Sequence, residues 1–255
     1  MPVYFLADRA RSVTLAGTAN AVAPGTTARS LWLTSYPSGA DMRTATGTAQ
    51  EVSVAGGPPG PQLRLPAGYV IDRATDRGLL LAPVAPSATA AYKLWNPAGP
   101  QASRAFAGVV AASASQIAWT QRCAPLCRVH VLDLATGRPT VVGLPGATSV
   151  VNAAFSPDGK FLALQVSSVS PGDNGALAMQ LDVASIPNGR LAAVPGTSVS
   201  SDALVSFGWS AGRHDLVAEL SFMPTVQVAS WHPGARRLTV AVIKPGPQAT
   251  SLIVG

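Results

Sequence analysis

Ser210 is the serine with hydrolase-like spacing: it sits in Gly208-Trp-Ser-Ala-Gly212, and Asp215 and His232 follow it in the order nucleophile, acid, base. In that arrangement the hydroxyl would attack an acyl carbon while the imidazole takes its proton. The chemistry needs a strand, a strained turn and then a helix. Here Ser210 leads instead into Leu216-Val-Ala-Glu-Leu220, an apolar-rich stretch that reads as a strand, and Asp215 follows too closely to come from a later strand of a parallel sheet. Ser210 is therefore read as a turn residue.

Cys123 and Cys127 are the only cysteines, separated by Ala124, Pro125 and Leu126. A local disulfide, two reduced inert thiols, and a metal or redox site all fit that spacing. The even count, the close placement and the turn-forming Pro125 favour the disulfide. Tetrahedral zinc wants four ligands, and His130 is the only further candidate nearby. A bridge would imply an extracytoplasmic protein, and closing so small a loop it would chiefly fix local shape. His130, His214 and His232 show no metal-ligand spacing and read as surface or strand-end residues. Asp173-Asn-Gly175 lacks the alternating oxygen ligands and closing Glu of a calcium loop, so Pro171–Gly175 reads as a turn. The 12 acidic residues are dispersed, and Asp41, Asp72, Asp76, Asp158 and Asp173 are all assigned to turns. No catalytic residue, metal ligand or cofactor is predicted.

The elements that would position these residues are short strands. In Asn152-Ala-Ala-Phe-Ser-Pro-Asp-Gly-Lys-Phe-Leu-Ala-Leu164, Pro157 presets φ, Asp158 can bond back to the backbone, and Gly159 takes a positive φ, so the chain reverses between two strands. The pattern recurs. Phe155-Ser156 returns as Trp209-Ser210, and His130-Val-Leu-Asp-Leu-Ala-Thr-Gly137 returns as Met179-Gln-Leu-Asp-Val183 with Asn188-Gly189, and earlier as Lys93-Leu-Trp-Asn-Pro-Ala-Gly99. Trp95 and Trp231 take the position of Asp133 in this repeat and are assigned to packing between units. A period of about 40 to 50 residues with four strands per unit is the mark of a β-propeller.

Five four-stranded units are predicted in a single domain over residues 1–255. The first takes Val3–Ala7, Ser30–Ser35 and Gln50–Val54 and lacks an inner strand. The second runs from Leu63 to Phe106, the third from Val109 to Val142, the fourth from Val150 to Val194 and the fifth from Leu204 to Val242. The apolar Thr250–Val254 is expected to join the N-terminal blade and close the ring.

The Phe-Ser-Pro-Asp-Gly-Lys-Phe-Leu-Ala hairpin of residues 155–163 and the Leu-Asp-Leu-Ala-Thr-Gly strand end of residues 132–137 resemble the TolB-like, WD40-like propeller repeats of bacterial proteins. The fourth unit carries the pattern best, and the third and fifth match in part. The resemblance implies an all-β propeller but no particular activity, because relatives include periplasmic scaffolds and propellers beside peptidases. Paired cysteines are also familiar in exported bacterial propellers.

Composition narrows the functional classes. The net charge of +6 comes from 15 Arg and 3 Lys against the 12 acids, with the Arg scattered singly apart from Arg236-Arg237, and aromatics make up 6%. Nucleic-acid binding would need clustered cations with stacking aromatics. No apolar run is long enough to span a bilayer, and the N-terminus lacks the basic and apolar regions of a signal peptide. The expected location is extracytoplasmic if an export segment lies upstream, and cytoplasmic otherwise. A polar connection from Asp8 to Arg29 would bring Arg9, Arg11 and Arg29 to the edge of the first unit, with Arg122 and Arg128 at the equivalent edge of the third. The expectation is a non-catalytic binding or scaffold module of the bacterial envelope, with this basic rim receiving an acidic protein or glycan. The alternative is an enzyme with an axial site, or the gating propeller of a peptidase.

Overall fold

In the computed structural model the described residues are 2–5, 11–14, 19–27, 29–85, 91–99, 104–121, 123, 126–169, 177–200, 204–210, 214–222 and 225–243. They are all-β, and no helix among them is long and apolar enough to cross a membrane. Strands β1 (Pro2–Phe5) and β2 (Arg11–Thr14) form a two-stranded sheet of their own. Five sheets of four consecutive strands follow. The first contains β3 (Ala21–Pro24), β4 (Ser30–Ser35), β5 (Thr48–Ser53) and β6 (Gln62–Arg64). The second contains β7 (Tyr69–Thr75), β8 (Gly78–Pro83), β9 (Tyr92–Trp95) and β10 (Arg104–Phe106). The third contains β11 (Val109–Ala112), β12 (Gln116–Thr120), β13 (Cys127–Asp133) and β14 (Pro139–Leu144). The fourth contains β15 (Ala147–Phe155), β16 (Phe161–Val169), β17 (Leu177–Ser185) and β18 (Arg190–Ala193), and β19 (Val199–Ser200) also pairs with β17. The fifth contains β20 (Leu204–Trp209), β21 (Leu216–Phe222), β22 (Thr225–Trp231) and β23 (Thr239–Ile243).

The predicted third, fourth and fifth units coincide with these sheets, while the first unit requires correction. Val3 pairs with Val13 in the separate hairpin, and the first sheet has its own opening strand, β3, in register Ala21↔Thr34 through Pro24↔Leu31. The stretch from Asp8 to Arg29 is thus not one long connection, since it holds β2 and β3. Leu63 belongs to the last strand of the first sheet and not to the second, pairing with Ala49. The proposed closing strand at 250–254 lies outside the described residues.

Turn chemistry repeats at the level of single hydrogen bonds. Between β15 and β16, Ser156 Oγ accepts the Phe161 N–H at 2.9 Å, the Ser156 N–H donates to the Phe161 carbonyl at 2.9 Å, and Ser156 Oγ donates to Asp158 at 2.8 Å. Between β20 and β21, Ser210 Oγ accepts the Asp215 N–H at 3.2 Å and the Ser210 N–H donates to the Asp215 carbonyl at 2.8 Å. In the third sheet Ser113 Oγ accepts the Gln116 N–H at 3.0 Å. Beyond β13, Asp133 accepts the Thr136 N–H at 2.7 Å and the Gly137 N–H closes on the Asp133 carbonyl at 2.8 Å; Gly189 closes on Ser185 in the same way beyond β17. Short polar side chains satisfy backbone groups at these strand ends and so stop the ladders there.

The chain divides into two compact units, one of Met1–Ile117 with Asp133–Gly137, the other of Ala118–Leu132 with Arg138–Gly255. In the first, Trp32, Leu65, Ile71, Leu79 and Leu81 form a core between the first and second sheets, with Tyr69 and Trp95 packed against it. In the second, Leu181, Val183, Phe207, Trp209, Leu216 and Trp231 form a core between the fourth and fifth. There Trp209 Nε1 donates to the Ala154 carbonyl at 2.9 Å, and Trp231 Nε1 to Ala235 at 2.8 Å, so both indoles bury their apolar bodies without losing a hydrogen bond.

Candidate binding cleft

The site with the clearest ligand chemistry lies in the first unit. Alternation along β9 puts Lys93 and Trp95 on one face, opposite Leu81 and Leu79 of β8. Lys93 Nζ lies 4.4 Å from the Tyr69 ring centroid, a cation–π contact that holds the ammonium in place. Tyr69 is itself fixed, its hydroxyl donating to the Ala91 carbonyl at 3.2 Å while its own carbonyl accepts the Tyr36 hydroxyl. Burial raises the Tyr36 phenol above its ordinary range, so it stays a donor at neutral pH.

The facing wall begins at Arg64, the end of β6, and continues through Leu65, Pro66 and Ala67. The Leu65 N–H donates to the Gly47 carbonyl at 2.9 Å and the Gly68 N–H to Ala45 at 3.1 Å. Gly68 has φ +77°, and a Cβ there would lie 2.5 Å from the Arg43 carbonyl oxygen, so the approach of the two segments requires glycine. Together with Thr46, Lys93 and Trp95 these residues line a half-open cleft of about 400 Å³. The lining contains two cations and no carboxylate, and neither Arg64 nor Lys93 meets an acidic side chain among the described residues.

Ser210, Asp215 and His232 do come into one neighbourhood, though not as a nucleophilic site. Ser210 Oγ is committed to the turn, a strand follows it, and exposed His232 places Nδ1 2.9 Å from Asp215. His214, in the same turn with φ 55°, faces Asp158 at 3.8 Å. Burial alone would raise the Asp158 carboxyl, but the Ser156 hydroxyl, the Lys160 N–H and the His214 and Lys160 charges together hold it below its ordinary range. His130 stacks on Trp119 with centroids 5.3 Å apart, and its Nε2 is buried without a hydrogen bond. Among the described residues no three His, Cys, Asp or Glu side chains are placed to hold a metal.

The disulfide joins Cys123 and Cys127. Of the arginines assigned to a rim, Arg9 and Arg122 lie outside the described residues and Arg11 falls in β2. Exposed Arg29 sits in the turn between a first and a second strand, where Glu51 accepts from Thr26 and Ser30. Exposed Arg128 opens a third strand in the other unit. Arg11 and Arg128 therefore lie in strands and Arg29 in a turn.

Asp72 departs from its turn assignment. It lies within β7, half-buried at a register shift between Ile71 and Arg73, and burial raises its carboxyl despite the Arg73 charge. Trp95 packs on the core as assigned but also lines the cleft, a second role that its place in the repeat did not reveal.

The succession of five meandering four-stranded sheets is matched by a TolB protein from Agrobacterium tumefaciens, which aligns over 91% of this chain and 83% of its own at TM-score 0.52 and 12% identity. The fold is that of a β-propeller. A prolyl endopeptidase matches at TM-score 0.59 and 13% identity over 90% of this chain, which spans 36% of that longer one. Hydrazine synthase of Kuenenia stuttgartiensis matches at TM-score 0.54 and 12% identity, covering 90% of this chain and 70% of its own. No family model and no curated protein sequence matches the chain. The likeness is one of fold, and propellers serve both enzymes and binding proteins.

Proposed function

We propose that residues 1–255 act as one non-catalytic propeller module that binds an anionic partner, protein or glycan, in the bacterial cell envelope. The observation that carries this reading is the cleft that Arg64, Lys93 and Trp95 line together, with no carboxylate in that lining among the described residues. A concave site with an apolar wall and a few placed charges is built to select a ligand. The Cys123–Cys127 bridge supports an oxidising compartment.

The test has two readouts. Protein taken from its source cells in the presence of an alkylating agent should carry both cysteines unalkylated, and the purified propeller should bind polyanionic probes in preference to neutral ones of equal size. Alkylated thiols would remove the envelope location, and equal binding of neutral probes would remove the anion-binding reading.

A further inference from the structure

Resting on that binding reading, we infer that the occupant of the cleft is an extended acidic peptide, with a carboxylate held by Arg64 and Lys93 and a neighbouring apolar side chain laid against Trp95, Leu65 and Pro66. The donor inventory argues for it. Guanidinium, ammonium and indole N–H groups only donate, which among the described residues leaves the Thr46 hydroxyl as the one side chain in the lining able both to donate and to accept. A sugar presents hydroxyls that need acceptors as well as donors, and among the described residues the lining offers no carboxylate or carboxamide to receive them. A carboxylate accepts only, and Arg64 can take it through two parallel hydrogen bonds.

Size and shape point the same way. About 400 Å³ with an apolar wall exceeds what a lone inorganic anion fills and suits a charged side chain together with an aliphatic or aromatic one. Beside the cleft, β6 is the outermost strand of its sheet, so its outer edge carries backbone donors and acceptors along which an extended chain can lie. A strand added there would present alternate side chains to one face, so the matching sequence alternates acidic with apolar residues.

The experiment is fluorescence anisotropy at near-physiological salt with a labelled peptide alternating glutamate and leucine, its glutamine counterpart, and a sulfated oligosaccharide of equal charge. Parent protein is compared with Arg64→Ala/Lys93→Ala and with Arg236→Ala/Arg237→Ala, which removes the same charge from an exposed turn in the other unit. Circular dichroism confirms that each variant retains its fold. The glutamate peptide should bind at least about tenfold more tightly than its glutamine counterpart, with a loss of similar size in the cleft variant and none in the Arg236 variant. Equal weakening in both variants, or equal binding of the two peptides, would overturn the inference. Binding of the oligosaccharide alone through Arg64 and Lys93 would overturn the peptide while leaving the binding reading intact. If no probe bound, both would fall.

Discussion

Replacing Ser156 by Ala tests whether a side-chain hydroxyl closes the strand turns of this propeller. Ser156 is 2% exposed, and its Oγ accepts the Phe161 N–H at 2.9 Å and donates to Asp158 at 2.8 Å. Alanine leaves that N–H without its acceptor in a place water hardly reaches, which costs about 1–3 kcal/mol. Exposed Asp158 recovers its lost bond from solvent, so the lower half of that range applies, about 1–2 kcal/mol. At roughly 2–4 °C per kcal/mol for a chain of this size, thermal melting should fall by about 2–8 °C. Ser210→Ala makes an internal comparison. Its bond to the Asp215 N–H is longer at 3.2 Å and only half-buried, so its loss should be about half as large. Both variants are melted by circular dichroism, and hydrolysis of an activated ester is followed alongside. A Ser156→Ala variant melting within about 1 °C of the parent, or a Ser210→Ala variant that loses ester hydrolysis the parent possesses, would refute the reasoning.

Two further perturbations probe buried charge and turn anchoring. Asp182 is 8% exposed and accepts from Gln180 at 2.8 Å; burial raises its carboxyl, with the Gln180 bond pulling partly back. The unfolded chain therefore ionises first as pH rises, so stability from this residue is greatest in acid and is lost as pH climbs from the ordinary carboxylate range to the folded value. Asp182→Asn should melt higher than the parent near pH 7, with the gap closing toward about pH 4, and a gap independent of pH would refute the assignment. Arg77 donates from Nε to the Leu134 carbonyl and from Nη2 to the Ala135 carbonyl, both at 3.0 Å. Arg77→Ala should cost about 1–2 kcal/mol in urea denaturation, and Arg77→Lys should recover little because one ammonium nitrogen on a flexible stem does not reproduce the two spaced guanidinium nitrogens that reach the two carbonyls.

The later sheets were legible because their turns are written in adjacent residues. Pro157, Asp158 and Gly159 act on their own backbone, as do Asp133 and Gly137, so the signal survives without knowledge of the rest of the fold. The first sheet was not. β3 is four residues of small or singly branched type, Ala21-Val-Ala-Pro24, inside a stretch rich in Gly and Thr, and β6 is three residues hemmed by Pro61 and Pro66. Neither has the length or β-branched density that marks a strand, and both form because β4 and β5 offer them a ladder. The turn assigned to Asp72 failed for a related reason: an acidic residue inside a strand reads as a break until a register shift accommodates it. The cleft was illegible in principle, since Arg64 and Lys93 lie on different sheets and come to line one cleft only when the core around Leu65, Ile71 and Leu81 brings those sheets together.

The grip of Arg77 on Leu134 and Ala135 bears on how this chain could be divided. Residues Asp133–Gly137 count with the first unit although their neighbours on both sides count with the second. A truncation after Ile117 would keep Arg77 yet discard both carbonyls it holds. No single cut yields the first unit whole, so an attempt to express it alone must graft the Asp133-Leu-Ala-Thr-Gly137 turn back on or accept a frayed edge. For the same reason, a duplication copying Met1–Ile117 alone would carry over an incomplete first unit.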